Sequence, residues 1–383
     1  MASSSPIKLA VLDDYHNIAA RHFSQMDCSK VDITVFGDTL PPYSHPETTD
    51  AQRKALVERL YPYTALSTMR ERTSLPRELL LQLPNLKTVF ATGGKFESWD
   101  LDTMKELGIK VCAAPGKGRV DGQGIGPAPR SLPIRKGGGH PTTQHVWALI
   151  LGLARNIATD DAVVKGKGAP AGWQTELAIG LQGKTLGLLG LGRIGAHVAR
   201  VGALAFGMKI LCWSANLTQE KADQLAEETG LPVTGAGVVN GDEKTFKVVS
   251  KQDLFSLSDV VSLHYVLSER SRGIVGAKEL EWMKPSGLLI NTSRGPLVEE
   301  AALLNTLRNG RIRGAALDVY DIEPLPADSP WRVEDWDVKG KSRVLLTPHM
   351  GYVEEGTLTT WYEETLENLE RLVEGKDLLH VIT

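Results

Sequence analysis

One turn constrains this chain more than any other stretch. The segment GKTLGLLGLGRIGAHVARVGALAFG runs from an apolar strand-like piece, through Gly190, Gly192 and Gly195, into a helical pattern. A strand that ends in GxGxxG and opens a helix is half of a parallel α/β unit, with its turn at the carboxyl end of the strand. Gly190 permits the tight turn, Gly192 lets a pyrophosphate approach backbone N–H groups, and Gly195 allows the helix to pack close to the strand. The helix N-terminus offers partial positive charge to phosphate, and Arg193, next to Ile194, adds a formal one. The five residues Gly190, Gly192, Arg193, Ile194 and Gly195 therefore predict a dinucleotide site.

The rest of the chain repeats the same alternation. Apolar runs at KLAVLDD, VDITVF, TALST, LKTVFAT and IKVCAA are separated by helical patterns such as AQRKALVERLY and PRELLLQLP. Six more, TLGLLG, KILCWS, VVSLH, GLLINTS, AALDVY and RVLLTP, lie between Lys184 and Thr347. Near-continuous apolar strands are covered on both faces, so the expected class is α/β with doubly wound parallel sheets. A chain of 383 residues has room for two such domains. The run HVWALILGLARNI is apolar nearly all round and predicts a helix buried between domains or subunits. A helical pattern over Glu354–Glu374 ends the chain and is expected to return to the first domain. The expected division is 1–140 with 350–383, and 141–349.

Charge and cysteine usage narrow the partners. Lys+Arg 43 against Asp+Glu 46 leaves −3, which gives no electrostatic reason for nucleic acid or an anionic membrane. No window approaches the roughly 18 uninterrupted apolar residues of a membrane span. Cys28, Cys112 and Cys212 form neither a metal-ligand spacing nor a paired framework, which fits a reducing compartment. The start MASSSPIKLAVLDDY lacks a basic-then-apolar leader, so a cytoplasmic location is expected. Residues 116–140 break the rhythm with eight glycines, three prolines, five Lys/Arg and one Asp. Such a segment cannot bury much. It is read either as a lid over a site for acidic substrates or as a surface loop without a catalytic role.

After the next strand, the ribose hydroxyls of a bound adenosine normally meet a carboxylate. Here that position is Ser214, with Asn216 and Thr218 following. A ribose phosphate would not be repelled, which tilts the expectation from NAD slightly towards NADP, although no arginine follows to hold that phosphate.

Three later residues suggest what the dinucleotide is used for. Arg294 follows the strand GLLI, Glu323 follows AALDVY, and His349 follows RVLLTP within a Pro–His–Met–Gly turn. A guanidinium can hold the carboxylate and ketone oxygens of a 2-oxo acid in one plane. Ketone reduction also needs a proton donor, and histidine titrates near working pH. A carboxylate on its other ring nitrogen favours imidazolium and orients the ring. Each residue alone has a bland reading, a surface salt bridge or a structural histidine. In this order the trio points to hydride transfer at a 2-oxo acid.

The segments LGLGRIG, INTSRGPLVEEAAL, GAALDVYDIEPLP and LLTPHMGY, with VVSLHYVLSERSRGIVGAKELEWMK between them, resemble the D-isomer-specific 2-hydroxyacid dehydrogenase family. The resemblance is strong from about Lys87 onwards and extends to the N-terminal third in pattern only. It implies two Rossmann-like domains with the active site in the cleft between them, and a homodimer. By position it assigns Arg294 to substrate, His349 to acid/base work and Glu323 to its support. It likewise assigns His264, Thr292, Ser293 and Asp318 to the cofactor, Asp318 near the nicotinamide carboxamide. The segment ATGGKFESWD matches a loop that holds the substrate carboxylate, which implicates Gly94, Lys95 and Phe96. The departures are Ser214, Val266 where a proline is frequent, and Gln144 where a glutamate is. Residues 116–140, about 233–245 and about 332–342 look longer than usual. Alternatives are a dinucleotide-sensing corepressor or scaffold, a formate or phosphite dehydrogenase, or a serine-pathway 3-phosphoglycerate dehydrogenase.

Overall fold

The computed structural model describes residues 5–94, 96–123, 140–167, 173–237 and 241–383. Contacts group the chain into two compact units. The first comprises Met1–Ser131, Ile322–Pro324 and Val353–Thr383; the second comprises Leu132–Asp321 and Leu325–Tyr352.

In the first unit, strands β1 (Ile7–Val11), β2 (Val31–Val35), β3 (Ala65–Thr68), β4 (Thr88–Thr92) and β5 (Lys110–Ala114) form a parallel sheet in the order β2-β1-β3-β4-β5. Leu66, Val89, Ala91 and Val111 point from it into a core closed by Leu56, Leu60, Leu79 and Met104. The helix Asp50–Leu60 starts in a reciprocal cap between Thr49 and Gln52. The helical stretch expected at PRELLLQLP shrinks to Arg77–Leu80, since Pro76 and Pro84 bound it closely. The C-terminal helix, Glu355–Val373, packs on β4 and β5 with Leu358, Trp361, Leu366 and Leu369 buried. Its Glu364 accepts the N–H groups of Gly116, Lys117 and Gly118 at 2.8, 2.5 and 2.7 Å. Glu367 accepts that of Val120 at 2.9 Å. The start of the 116–140 stretch is thus tied down; residues 124–139, where the lid expectation mainly falls, lie outside the described residues.

The second unit holds β6 (Thr185–Leu189), β7 (Lys209–Trp213), β8 (Phe246–Val248), β9 (Val260–Leu263), β10 (Leu288–Asn291), β11 (Gly314–Leu317) and β12 (Arg343–Leu346). All pairs are parallel, in the order β12-β11-β10-β9-β6-β7-β8. The order reverses between β6 and β9, the point where ligands bind in doubly wound sheets. Alternate residues serve opposite faces, which explains the continuous apolar runs. Leu186, Leu188, Leu288, Ile290 and Ala316 join one core. Leu189, Val261, Leu263, Leu289, Ala315 and Leu317 join the other.

Two features of this unit differ from the expectation. Strand β8 lies just beyond a stretch read only as longer than usual; its three residues are too few to show a period. The helix over HVWALILGLARNI is Pro141–Ala154, and a new helix, Ile157–Val164, starts after Asn156, whose φ is +54°. The first of these is buried on several sides, through Val146, Trp147, Leu149, Ile150 and Leu153.

Candidate active site

The carboxyl edge of the seven-stranded sheet gathers most of the residues singled out in the sequence. Gly190 directly follows β6, with φ +98°; a Cβ there would lie 2.5 Å from the carbonyl oxygen of His264. A Cβ on Gly195 would lie 2.6 Å from the carbonyl oxygen of Gly190. Both positions are therefore closed to any other residue. Gly192 differs: among the described residues no atom lies within 4 Å of its would-be Cβ, so the space over this turn is open. The turn starts a 14-residue helix, Arg193–Phe206, that ends on left-handed Gly207. An open glycine at the N-terminus of a long helix fits a pyrophosphate.

The adjacent strand ends complete a polar rim. The Ser214 turn beyond β7 is braced by Tyr265, which follows β9: its ring stacks on Trp213 at 6.1 Å and its hydroxyl accepts the N–H of Ala215 at 3.2 Å. Asn216 lies in the same turn, and its carbonyl accepts from Lys221 Nζ at 3.5 Å. Beyond β9, His264 Nε2 pairs with Ser262 Oγ at 2.9 Å. Burial pushes this imidazole down to about 4, so it is neutral at physiological pH. At the end of β10, buried Asn291 donates Nδ2–H to the Arg294 carbonyl and accepts the Ser293 N–H, at 3.0 and 3.1 Å. Ser293 Oγ donates to the Leu263 carbonyl, and Arg294 Nη1 to that of Ser293. The buried hydroxyl of Thr292 has no hydrogen-bond partner among the described residues.

The turns after β11 and β12 are knotted together. Asp318 is 0% exposed, and its Oδ1 accepts from His145 Nε2 (3.0 Å), Thr347 Oγ1 (2.6 Å) and the Met350 N–H (2.7 Å). Its Oδ2 accepts the Gly351 N–H at 3.0 Å. Burial alone would raise this carboxyl, but the His145, Thr347 and Met350 donors outweigh it and hold Asp318 below the usual range. Asp318, expected near a nicotinamide carboxamide, thus has four partners within its own chain. His349 sits inside this knot with φ +55°, its N–H on the Thr347 carbonyl at 3.1 Å and its ring edge-on to Tyr352 at 5.6 Å.

The model of the D-isomer-specific 2-hydroxyacid dehydrogenase NAD-binding domain matches residues 147–351. The chain belongs to that family. The glyoxylate reductase of Aeropyrum pernix is 32% identical over 304 residues, covering 78% of this chain and 77% of its own. The hydroxypyruvate reductase of Thermotoga maritima is 31% identical over 307 residues, 79% of this chain and 83% of its own. A phosphoglycerate oxidoreductase structure from Vibrio cholerae superposes with a TM-score of 0.72 at 31% identity, over 96% of this chain and 99% of that one. Like other members of the family, the chain is an NAD-dependent oxidoreductase of 2-oxo and 2-hydroxy acids, and the open turn at Gly192 suits its dinucleotide.

The remaining site residues lie in the first unit. Glu323 falls in the Ile322–Pro324 segment grouped there, in contrast to Arg294 and His349, which belong to the second. Gly94 follows β4, with open space at its would-be Cβ. Phe96 stacks on Trp99 at 5.1 Å, and its carbonyl accepts the Trp99 N–H at 3.3 Å. Lys95 lies outside the described residues. Sequence reasoning passed over His145, Thr347 and Asn291. A lone histidine in an apolar helix carries no local sign of a partner 173 residues away.

Proposed function

We propose that this chain reduces a small 2-oxo acid to the D-2-hydroxy acid, and runs the reverse reaction, with NAD(P) held by the Gly190–Gly195 turn, Ser214, Asn216, His264, Thr292 and Ser293. The observation that carries this reading is that the dinucleotide turn, Arg294 and His349 all stand on one carboxyl edge of one sheet. When bound, the reduced cofactor would supply a hydride for the ketone carbon. Arg294 holds the substrate carboxylate, helped by the backbone N–H groups of Gly94 and Phe96. His349 gives its proton to the ketone oxygen and takes it back in the oxidative direction. Glu323 supports the imidazolium form and fixes the ring.

Glyoxylate and hydroxypyruvate head the list of substrates, because curated relatives are reductases of those names. Ser214 in the ribose position, with Lys221 over the same turn, supports use of NADPH alongside NADH. The helix Ile157–Val164 buries none of its residues, and Trp173 and Leu177 nearby are 82% and 89% exposed. Such an apolar surface supports a homodimer, which light scattering would reveal as twice the chain mass. Three free thiols support a reducing, cytoplasmic setting.

A panel of 2-oxo acids with NADH and NADPH, followed by reduced-nicotinamide absorbance, tests the reading. His349→Ala should keep cofactor affinity and lose turnover by about 10²–10⁴-fold, roughly 3–5 kcal/mol of barrier. Unchanged turnover would remove His349 from the mechanism, and no consumption with any acid would favour a binding role.

A further inference from the structure

His349 is bracketed from both sides by a single carboxylate. Thr347, two residues before it, bonds Asp318 through its hydroxyl; Met350 and Gly351, just after it, bond Asp318 through their N–H groups. Between them His349 takes a left-handed backbone conformation, φ +55°, that a β-carbon disfavours and that persists only where surroundings over-determine it. The direction of the imidazole therefore depends on where the Asp318 carboxylate points.

A third element sets that direction. His145, on the helix Pro141–Ala154, places Nε2 3.0 Å from Asp318 Oδ1 and 3.1 Å from Thr347 Oγ1. The Thr347 hydroxyl gives its hydrogen to Oδ1 at 2.6 Å, so it turns a lone pair towards His145. Both neighbours of Nε2 are then acceptors, and the nitrogen must carry hydrogen. Gly351 lets the turn close on this pair: a Cβ there would lie 3.2 Å from Asp318 Oδ2, 3.3 Å from Thr142 Cγ2 and 3.8 Å from His145 Cδ2.

We propose that His145 is a positioning residue for the acid/base histidine: its Nε2–H fixes the Asp318 carboxylate, which fixes the turn that aims His349. The role is separate from holding substrate or cofactor, and it rests on the reading of His349 as the proton donor. Loss of the imidazole leaves Asp318 free to rotate away from the Met350 N–H, and misalignment of a reacting group by about 1 Å can cost about 10²-fold in rate.

The test uses the full chain with His145→Ala and His145→Gln, since a glutamine amide N–H can occupy the place of Nε2. His145→Ala should lower kcat about 10- to 100-fold while the KM for NADH stays within about twofold of wild type. His145→Gln should recover kcat to within about threefold. In ring-¹³C-histidine spectra, the His349 signal, assigned by its loss in His349→Gln, should shift or split in His145→Ala and return in His145→Gln. Wild-type kcat in His145→Ala overturns the proposal, as does an unmoved His349 signal or equal impairment of both variants, which would mark a packing role. Thr347→Val, which deletes one hydroxyl at constant volume, should give the same kcat-only loss and replaces His145→Ala if that variant fails to fold. A wild-type protein inactive on every 2-oxo acid would end the functional reading, yet the spectra would still decide whether His145 orients His349.

Discussion

Asp13, two residues beyond β1 in the first unit, and Asp318, directly beyond β11 in the second, are both buried carboxylates at the carboxyl end of a parallel strand. They are pushed in opposite directions. Burial raises Asp13 to about 6, although the hydroxyls of Thr39 and Thr73 and the charges of Arg72 and Arg59 all pull it down. Asp318 stays below the usual range despite its burial. The difference lies in the donors. Asp318 receives two backbone N–H groups and an imidazole N–H besides a hydroxyl, and the backbone donors are held in place by the fold. Asp13 receives side-chain hydroxyls, one from Thr39 and one from Thr73 at 3.0 Å. Burial sets the penalty, and preorganised donors decide whether it is overcome.

The sharpest way to break this comparison is Asp318→Ala. It strands four donors around one buried hole, and removing one partner of such a buried network costs about 3–5 kcal/mol. Denaturant unfolding should show that loss, and the 2-oxo acid assay should show turnover down about as far as in His349→Ala. Stability within 1 kcal/mol of wild type would mean that Asp318 organises nothing.

Asp13→Asn should act the other way, and more weakly. With its folded pKa raised, Asp13 carries no penalty below pH 3.8 and costs stability as pH rises through about 6. A neutral amide avoids that cost. The variant should be more stable than wild type at pH 8, by up to about 3 kcal/mol at 1.36 kcal/mol per unit, and no more stable at pH 4. Asp318 has the opposite sign: its contribution is present at neutral pH and lost as pH falls below its depressed value. Melting curves across pH 2–8 would register both, Asp13 above pH 3.8 and Asp318 below it, and a pH-independent gain in Asp13→Asn would show that Asp13 is not penalised by its charge.

Much of this architecture was readable in advance where it rests on local pattern. The strand runs expected from Ile7 to Leu346 are strands, and the glycine spacing at Gly190, Gly192 and Gly195 opens a helix. Strand β8 escaped because three residues show no period, and the restart at Asn156 escaped because one asparagine, although it tolerates a left-handed conformation, does not by itself interrupt an apolar helical run. The contribution of His145 escaped for a different reason. Its partners Asp318 and Thr347 are 173 and 202 residues away, and hydrogen bonds across such separations leave no trace in local composition.

By itself the sequence determined every strand but β8, the residues that can line a dinucleotide turn, and the kind of groups able to serve a 2-oxo acid. Those follow from periodicity, from steric freedom at glycine, and from side-chain chemistry, all of which act over a few residues. Tertiary structure alone decided that one aspartate would be shared by a helix and the turn after β12, and that His349 would be held left-handed within that turn. Directional bonds of about 3 Å demand that distant segments arrive at one point with one orientation, and only the packed fold supplies that.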